Sequence, residues 1–139
     1  MKIKDMMHKG VEFVAPQAKL SAIAWRMKDA DVGALPVVEN GKVIGMVTDR
    51  DLAIRSFADG KDVDALTARD VMTPGAVCCG EGDDAEDAME MMENRRIRRL
   101  PVLDSRSQLV GMVSLGDISH AMPEDVSAEV LQAVSAHHA

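Results

Sequence analysis

Hydrophobic residues recur along the chain in two helical patterns that are separated by a fixed distance. Over residues 17–30 and again over 83–95, apolar side chains follow the spacing i, i+3, i+4 and i+7, which predicts two amphipathic helices. The buried faces of these helices would consist of Leu20, Ile23, Ala24 and Met27 in the first and of Ala85, Ala88, Met89 and Met92 in the second. Because the second set follows the first at an offset of 65 residues, the pattern indicates an internal repeat.

A second pattern, typical of β-strands, follows each helix. Residues 35–48 read LPVVENGKVIGMVT, and residues 100–114 read LPVLDSRSQLVGMVS. Asn40-Gly41 is a strong signal for a two-residue turn, so the apolar runs on either side of it are predicted to pair as antiparallel strands. The second copy is one residue longer in the turn, where insertions are tolerated. We therefore expect β-hairpins at 34–48 and 99–114.

Two further elements complete each repeat. Short strands are predicted at 11–14 and 76–79, and second helices from about residue 50 and about residue 116. The order β-α-β-β-α, occurring twice, predicts an α/β fold of the α+β type with repeats at 1–66 and 67–122. Because half of this chain is marginal as an independent fold, we expect the repeats to pack as a pseudo-twofold pair with a cleft between them. Residues 123–139 are predicted to form a C-terminal amphipathic helix.

The composition is that of a globular protein. Hydrophobic residues make up 47% of the 139 residues and charged residues 28%, and no apolar run approaches the roughly 20 residues that a membrane-spanning helix needs. The N-terminus lacks the apolar segment of a secretion signal. We therefore expect a soluble, cytoplasmic protein in which the adjacent Cys78 and Cys79 stay reduced, because a disulfide between neighbours is strained.

The net charge restricts the partners. With 23 acidic against 16 basic residues, the chain carries a charge of −7 at neutral pH, which opposes general binding to nucleic acids or anionic membranes. We expect neither of these partners. An anionic small molecule would need a local group of cations, and one occurs in NRRIRR at residues 94–99.

A hydroxyl and a carboxylate recur at the end of each hairpin. The sequence GMV is followed by Thr48-x-x-Asp51 in the first repeat and by Ser114-x-x-Asp117 in the second. Ser or Thr followed three residues later by an acidic residue has the spacing of a helix capping box, in which each side chain accepts a hydrogen bond from a main-chain N–H. The same two groups can also bind a vicinal diol such as that of ribose. The sequence is compatible with both interpretations.

Together these features resemble a tandem pair of CBS domains, the cystathionine-β-synthase-type module that binds adenosyl compounds. The matching segments are the openings DMM and DVMT, the LPV strand of each repeat, and the signature G-h-h-[ST]-x-x-D at Gly45–Asp51 and Gly111–Asp117, where h is hydrophobic. The resemblance covers essentially the whole chain. It implies the doubled β-α-β-β-α fold, here as a stand-alone pair without an attached enzyme or transporter domain.

The resemblance also implies which residues hold the ligand. Ribose would be bound by Thr48 and Asp51 in one site and by Ser114 and Asp117 in the other. Adenine would be framed mainly by main-chain atoms of the opposite repeat's short strand and of the LPV strand, namely Val11, Glu12, Ala76, Val77, Leu35, Pro36, Leu100 and Pro101. No obligatory cofactor is implied, and the candidate ligands are AMP, ADP, ATP and S-adenosylmethionine.

Phosphate recognition is where the two repeats differ. In nucleotide-binding relatives, such as the regulatory subunit of AMP-activated protein kinase, cations tend to lie two and three residues before the proline of the PV pair. This chain has Arg98 and Arg99 there in the second repeat, but Gly33 and Ala34 in the first. An arginine-rich helix end can also complement the dipole of its helix, and this interpretation suits Arg95 and Arg96. For Arg98 and Arg99, which already enter the strand, we favour phosphate contact. Arg50, within TDRD, is a further candidate.

Other candidate motifs are weaker. GEGDDA, residues 80–85, fits G-x-G-x-x-A between a strand and a helix, but its three carboxylates would repel a pyrophosphate. His8, His120 and the His137-His138 pair show no spacing of metal ligands, so no metal site is expected. The sequence contains no nucleophile elbow, P-loop or other catalytic signature, and we expect a protein that is not an enzyme.

Two hypotheses about function follow from the resemblance. In the first, the chain is a regulatory sensor: an adenosyl compound occupies the cleft between the repeats and shifts their orientation, or that of two subunits, for a partner protein to detect. The alternative is a ligand-independent dimerisation scaffold in which the Ser/Thr-x-x-Asp pairs are only caps. A homodimer is expected, because two repeats alone leave apolar helix faces uncovered.

Overall fold

The computed structural model describes residues 1–121, and the C-terminal helix predicted at 123–139 lies outside this range. The contacts divide the chain into two units. The first unit is Glu12–Ala76, and the second unit joins Met1–Val11 to the chain from Val77 onward. These units do not coincide with the repeats predicted at 1–66 and 67–122. The repeats are defined by similarity of sequence, whereas the units are defined by contacts between residues.

The first unit is built around the predicted helix and hairpin. Its elements in chain order are α1 at Leu20–Ala30, β1 at Ala34–Glu39, β2 at Lys42–Thr48, α2 at Asp49–Leu52, a π-helix at Ala53–Ala58, a 3₁₀ turn at Val63–Ala65, α3 at Ala68–Val71 and β3 at Thr73–Pro74. Asn40 and Gly41 both have positive φ, 53° and 79°, as a two-residue turn between twisted strands requires. The predicted hairpin is therefore confirmed. The strand predicted at 11–14 is reduced to a single bridge between Val14 and Val37.

The second unit repeats this plan. Its elements are a 3₁₀ turn at Ile3–Asp5, β4 at Cys79–Gly80, α4 at Ala85–Arg95, β5 at Arg99–Leu103, β6 at Leu109–Ser114 and α5 at Leu115–Ala121. The α/β fold with repeated helices and hairpins is confirmed. Along residues 1–121, no helix is both long and apolar enough to cross a membrane.

Each hairpin is joined by the opening segment of the other sequence repeat. In the first unit the sheet order is β1-β2-β3, and Pro74 of β3 lies opposite Gly45 of β2 in an antiparallel pair. In the second unit the order is β4-β5-β6, and His8 forms an antiparallel bridge with Met112 of β6. The DVMT opening therefore belongs to the first unit and the DMM opening to the second.

Each unit has its own hydrophobic core. Helix α1 buries Leu20, Ile23 and Met27, and all four predicted positions of α4 are buried. The prediction that Ala24 belongs to the buried stripe is wrong, because this residue is exposed. Ala24 borders an open groove beside Leu52 and the π-helix, so no element covers that side of α1 within the first unit.

Candidate functional site

The hydroxyl and carboxylate predicted to bind ribose meet at a strand-to-helix junction in both units. In the first, the Asp51 main-chain N–H donates to Thr48 Oγ1 (3.0 Å) and the Thr48 N–H donates to Asp51 Oδ2 (3.0 Å). In the second, the Asp117 N–H donates to Ser114 Oγ (3.1 Å) and the Ser114 N–H to Asp117 Oδ2 (2.8 Å). Both junctions form complete capping boxes, so the capping interpretation is confirmed. The caps use Oδ2 of each carboxylate and leave Oδ1 for another partner.

A histidine that no sequence motif indicated lies at the second junction. His8 Nε2 is 2.9 Å from Asp117 Oδ1. The main chain of His8 is fixed to β6, since its N–H donates to the Met112 carbonyl (2.8 Å) and its carbonyl accepts from the Met112 N–H (3.0 Å). The His8 side chain is 77% exposed, whereas that of Asp117 is 15% exposed. The two residues are 109 positions apart, so only the fold brings them together.

The first junction has a different neighbour. Thr73 takes the position that corresponds to His8 in the repeat. Asp51 Oδ1 instead faces Arg55 Nε at 3.8 Å, and Arg55 Nη1 donates to the Met72 carbonyl at 2.9 Å. A guanidinium from the following turn therefore neighbours one carboxylate, and an imidazole from the opening segment neighbours the other. The two junctions offer different chemistry to a ligand.

The arginines predicted to bind phosphate lie beside the second junction. Arg99 begins β5, and its cross-strand partner is Ser114. Residues directly opposite each other on paired strands have Cβ atoms about 4.5–5.5 Å apart, so the Arg99 side chain leaves the main chain close to Ser114. The carbonyl of Arg98 accepts a hydrogen bond from the Leu115 N–H (2.7 Å), and both arginines are exposed. The fold therefore places the main chain of both arginines beside the junction that holds the hydroxyl and carboxylate of their own repeat.

The first junction has a carboxylate at the matching place. The Asp49 N–H donates to the Gly33 carbonyl (2.9 Å), which is the same bond as that between Leu115 and Arg98. A Cβ built on Gly33 would lie 3.1 Å from Oδ2 of Asp49, so that carboxylate lies over the glycine. Arg50, the third phosphate candidate, is exposed, and its main-chain N–H donates to Asp49 Oδ1 (2.8 Å). An anionic group at the first junction would therefore meet the Asp49 carboxylate as well as the Arg55 guanidinium that faces Asp51.

Four of the residues predicted to frame adenine belong to the LPV strands. Leu35 and Leu100 point into the two cores, with 1% and 0% of their surface exposed. Pro36 and Pro101 are buried as well. The Pro36 carbonyl already accepts a hydrogen bond from the Val14 N–H (3.0 Å). These four residues can offer a ligand only those main-chain atoms that the sheet leaves unbonded, and their contact with adenine stays a prediction.

The other four adenine candidates lie where the chain passes from one unit to the other. Val11 ends the first segment of the second unit and Glu12 begins the first unit, while Ala76 ends the first unit and Val77 resumes the second. Val77 packs against the core of its unit. The carboxylate of Glu12 accepts a hydrogen bond from Arg26 Nη1 (2.8 Å). Their role in binding also stays a prediction.

The loop that imitates a dinucleotide motif is organised by its own carboxylates. The Gly80 N–H donates to Asp83 Oδ2 (2.8 Å). The Lys2 ammonium lies 2.9 Å from Asp84, and this hydrogen-bonded pair lowers the pKa of Asp84 and raises the pKa of Lys2. The motif would offer the Gly80 N–H to a pyrophosphate, but this N–H already donates to the Asp83 carboxylate. The loop therefore does not fit dinucleotide binding.

Burial of the two thiols disfavours their thiolate forms. Cys78 and Cys79 form no disulfide. Burial, with a smaller effect of nearby Asp83, raises the pKa of Cys79 to about 12, and burial also raises the pKa of Cys78. Both are therefore protonated at neutral pH. Within residues 1–121, no group of three or more His, Cys, Asp and Glu side chains is arranged to hold a metal ion.

Known proteins share this sequence pattern. The CBS domain family matches the chain twice, at residues 3–56 and 68–124. The chain is similar to the CBS domain-containing protein YhcV of Bacillus subtilis, with 41% identity over 117 residues that cover 84% of this chain and 82% of YhcV. It is also similar to hypoxic response protein 1 of Mycobacterium tuberculosis, with 32% identity over 132 residues that cover 94% and 92% of the two chains.

Solved structures share the fold. The crystal structure of hypoxic response protein I with two coordinated zinc ions matches with a TM-score of 0.80 at 31% identity, over 88% of this chain and 100% of that chain. CBSX2 of Arabidopsis thaliana, solved in complex with AMP, matches with a TM-score of 0.74 at 25% identity, over 86% and 94%. With two family matches that coincide with the two hairpins and the two Ser/Thr–Asp junctions, the chain belongs to the CBS domain family and carries the domain twice.

Proposed function

We propose that this chain is a regulatory module that binds an adenine nucleotide or another adenosyl compound. The observation that carries the proposal is the second junction, where the Ser114 hydroxyl and the Asp117 carboxylate lie at the end of a strand that pairs with Arg99. A hydroxyl and carboxylate suit a ribose diol, and a neighbouring guanidinium suits a phosphate. The AMP complex of the similar protein CBSX2 supports this choice of ligand class.

The proposal assigns a part of the ligand to the residues around each junction. Ser114 and Asp117 hold ribose, Arg98 and Arg99 hold phosphate, and main-chain atoms of the short and LPV strands hold adenine. The Thr48–Asp51 site takes the same ligand class, with less preference for phosphate because Asp49 lies over Gly33 there. Following the family, the ligand occupies the cleft between the repeats and shifts an orientation that a partner protein detects.

The module acts as a homodimer and performs no chemical reaction in this proposal. Similar proteins such as YhcV are described only by their CBS domains. The raised pKa values of Cys78 and Cys79 are unfavourable for a thiolate nucleophile. A mass of twice 15.0 kDa in solution would support the dimer. Recovery of unchanged ligand after long incubation would support binding without catalysis.

The scaffold alternative is favoured by one observation. A third Thr-x-x-Asp box occurs at Thr67–Asp70, where the Thr67 N–H donates to Asp70 Oδ2 (2.9 Å) and Thr67 Oγ1 donates to the same oxygen (3.1 Å). This box lies at the start of α3, where no ligand is expected. A hydroxyl–carboxylate pair in this chain can therefore be purely structural.

Thermal unfolding with a panel of ligands separates the two functions. We expect ATP, ADP, AMP, adenosine or S-adenosylmethionine to raise the melting temperature, because a ligand at 100 times its Kd adds about 2.7 kcal/mol of stability. GTP serves as the control for nonspecific effects of phosphate and magnesium. If none of the adenosyl compounds changes the melting curve at millimolar concentration, the sensor proposal is wrong and the scaffold stands.

A further inference from the structure

The opening segment of the second unit is attached to that unit at two points. At the first, Ile3 is fully buried and its N–H donates to the Asp83 carbonyl (2.9 Å). At the second, the main chain of His8 exchanges two hydrogen bonds with Met112, and the imidazole lies 2.9 Å from Asp117 Oδ1. Loss of the second attachment would leave the segment held at Ile3 and would remove the imidazole from the candidate site.

The thioether of Met7 lies at the second attachment point. A Cβ built on Gly111 of β6 would be 2.7 Å from Met7 Sδ and 3.1 Å from Met7 Cγ, so the sulfur rests against the main chain of the strand. Met7 is half-buried and packs against the core of the second unit. An oxygen atom bonded to this sulfur would make the side chain both larger and more polar at a close contact. The attachment is therefore sensitive to oxidation of the sulfur.

Met72 provides the matching case in the first unit. A Cβ built on Gly45 would lie 2.7 Å from Met72 Sδ, so the same contact between sulfur and glycine occurs in both units. Met72 is only 8% exposed, whereas Met7 is half-buried, and Arg55 donates to the Met72 carbonyl (2.9 Å). Because susceptibility to oxidants follows exposure, a peroxide reaches Met7 more readily than Met72. The two units thus contain an accessible and a protected copy of one contact.

The thiols of the chain compete poorly for the same oxidant. Burial raises the pKa of Cys78, and it raises the pKa of Cys79 to about 12. Peroxides react with the thiolate form, which is scarce at neutral pH when the pKa is raised. A thioether has no proton to lose, so the oxidation of methionine needs no such ionisation. Burial of the thiols therefore favours reaction of a peroxide at accessible methionine sulfur.

We propose that Met7 is a site of oxidative modification and that its sulfoxide releases the His8 end of the opening segment from β6. Hydrogen peroxide supplies the oxygen: its O–O bond breaks, one oxygen bonds to Sδ, the sulfur loses two electrons, and the other oxygen leaves as water. The sulfoxide weakens the attachment because it brings a polar group into an apolar contact. Asp117 Oδ1 then loses its imidazole partner. This inference goes beyond adenosyl binding and does not depend on it.

The rates of oxidation of the two matched methionines test whether Met7 is the accessible site. The full chain is treated with hydrogen peroxide, and peptide mass spectrometry follows each sulfoxide over time. We expect Met7 to react several times faster than Met72 in the folded protein and at the same rate in concentrated urea, where burial no longer protects Met72. If Met7 reacts no faster than Met72 in the folded protein, the proposal is wrong.

Hydrogen exchange measures the release of the segment. The Met112 N–H donates to the His8 carbonyl (3.0 Å), and after oxidation it should exchange about ten- to a hundredfold faster, as expected when a polar group enters an apolar contact. The Gly75 N–H, which donates to the Ile44 carbonyl (3.1 Å) in the first unit, is the control and should keep its rate. Unchanged exchange at Met112 in protein with oxidised Met7 would overturn the proposal. Equal acceleration at Gly75 would indicate general unfolding and would also overturn it.

Substitutions show whether the Met7 sulfur is responsible. Met7→Leu keeps the volume but has no sulfur, so its Met112 amide should stay protected after peroxide treatment. Met91→Leu is the matched control, because Met91 is also half-buried against the second core, and this variant should respond like the parent. Methionine sulfoxide reductase with a thiol reductant should restore slow exchange in the oxidised parent, because it returns the sulfur to the thioether. Faster exchange of Met112 in oxidised Met7→Leu, equal to that in the parent, would assign the effect to another residue and overturn the proposal.

Discussion

The two carboxylate oxygens of Asp117 have different partners. Oδ2 accepts from the Ser114 N–H, while Oδ1 is 2.9 Å from His8 Nε2. A carboxylate has about four acceptor positions, so a ribose hydroxyl can share Oδ1 with the imidazole. Structural and binding roles are therefore compatible in one side chain. Separating them requires a cap of the same type without a predicted ligand.

Asp70 provides that comparison for our first prediction. Asp117→Ala and Asp70→Ala each remove a capping carboxylate, so both should lower the free energy of unfolding by about 0.5–2 kcal/mol. Only Asp117→Ala should weaken adenosyl binding, by about ten- to a hundredfold, because a hydrogen bond to a charged group is lost. Chemical denaturation and calorimetric titration measure the two effects. Equal ligand affinity in both variants would reduce Asp117 to a cap.

His8 gives a prediction about ligand affinity at the same junction. Its Nε2 lies 2.9 Å from Asp117 Oδ1, the oxygen that the cap leaves for a ribose hydroxyl. Because the imidazole and the ribose would compete for this oxygen, removing the imidazole should strengthen the binding of adenosine. His8→Thr introduces the residue found at the matching position, Thr73. Calorimetric titration measures the change, and an unchanged Kd in the variant would rule out competition at Asp117.

Cys79 predicts how stability changes in alkali. Burial raises the pKa of this thiol from its ordinary value of 9.0 to about 12. Because the folded protein then holds the proton more tightly than the unfolded chain, this contribution is complete below pH 9 and is lost as pH rises toward 12. Urea unfolding of the parent and of Cys79→Ala at pH 7 to 11 should show a shallower decline in the variant. Identical slopes would mean that Cys79 does not govern the decline.

At the scale of elements, two glycines allow the opening segments to cross the hairpins. A Cβ on Gly111 would lie 2.7 Å from the His8 carbonyl oxygen, and one on Gly45 would lie 2.7 Å from that of Thr73. Since these contacts are with main-chain atoms, the segment itself would have to move. The glycine that both signatures share thus has a steric cause within this chain.

Gly111 yields a prediction with an internal control. Gly111→Ala should lower the free energy of unfolding by about 1–3 kcal/mol, because the added methyl group forces the opening segment off β6. Gly82→Ala, where a Cβ meets nothing within 4 Å, should change stability by less than about 0.5 kcal/mol. Denaturant midpoints measure both. Similar small effects in the two variants would show that the crossing can relax.

The hairpins and the helices α1 and α4 were predictable because local spacing of apolar residues decides them. The partner of each opening segment was not, because DMM and DVMT fit either hairpin equally well by sequence. Tertiary contact decides instead, with Ile3 buried in the core of the second unit and Val71 in that of the first. Ala24 was misplaced because helical periodicity does not indicate which side of α1 another element covers.

The same distinction applies to the candidate site. The two residues of each pair, Thr48 and Asp51 or Ser114 and Asp117, are three positions apart. This spacing alone predicted that they contact each other. The approach of His8 to Asp117 depends on which hairpin the opening segment joins, and no local pattern contains that information. The carboxylate of Asp49 over Gly33 was missed for a similar reason, because it requires the strand and the helix start to be placed side by side.

At the scale of the whole molecule, charge determines which phosphate sites are feasible. A chain with a net charge of −7 repels polyanionic nucleotides over long range, so binding needs cations at short range. Arg98 and Arg99 supply them at the second junction. At the first junction the Asp49 carboxylate lies over Gly33, and the Arg55 guanidinium faces the Asp51 carboxylate. We therefore expect unequal occupancy of the two sites by ATP, with the Ser114–Asp117 site filled first.

The last prediction tests whether these arginines recognise phosphate or only shape the site. The double variant Arg98→Ala/Arg99→Ala should lose far more affinity for ATP than for adenosine, since only ATP can use a bidentate guanidinium contact. Arg95→Ala/Arg96→Ala removes the same charge from the end of α4 and should affect both ligands little. The loss for ATP should shrink at high salt, where the remaining contacts are screened. Titration of both ligands into both variants decides the matter: equal losses for ATP and adenosine would mean that Arg98 and Arg99 support the pocket without contacting phosphate.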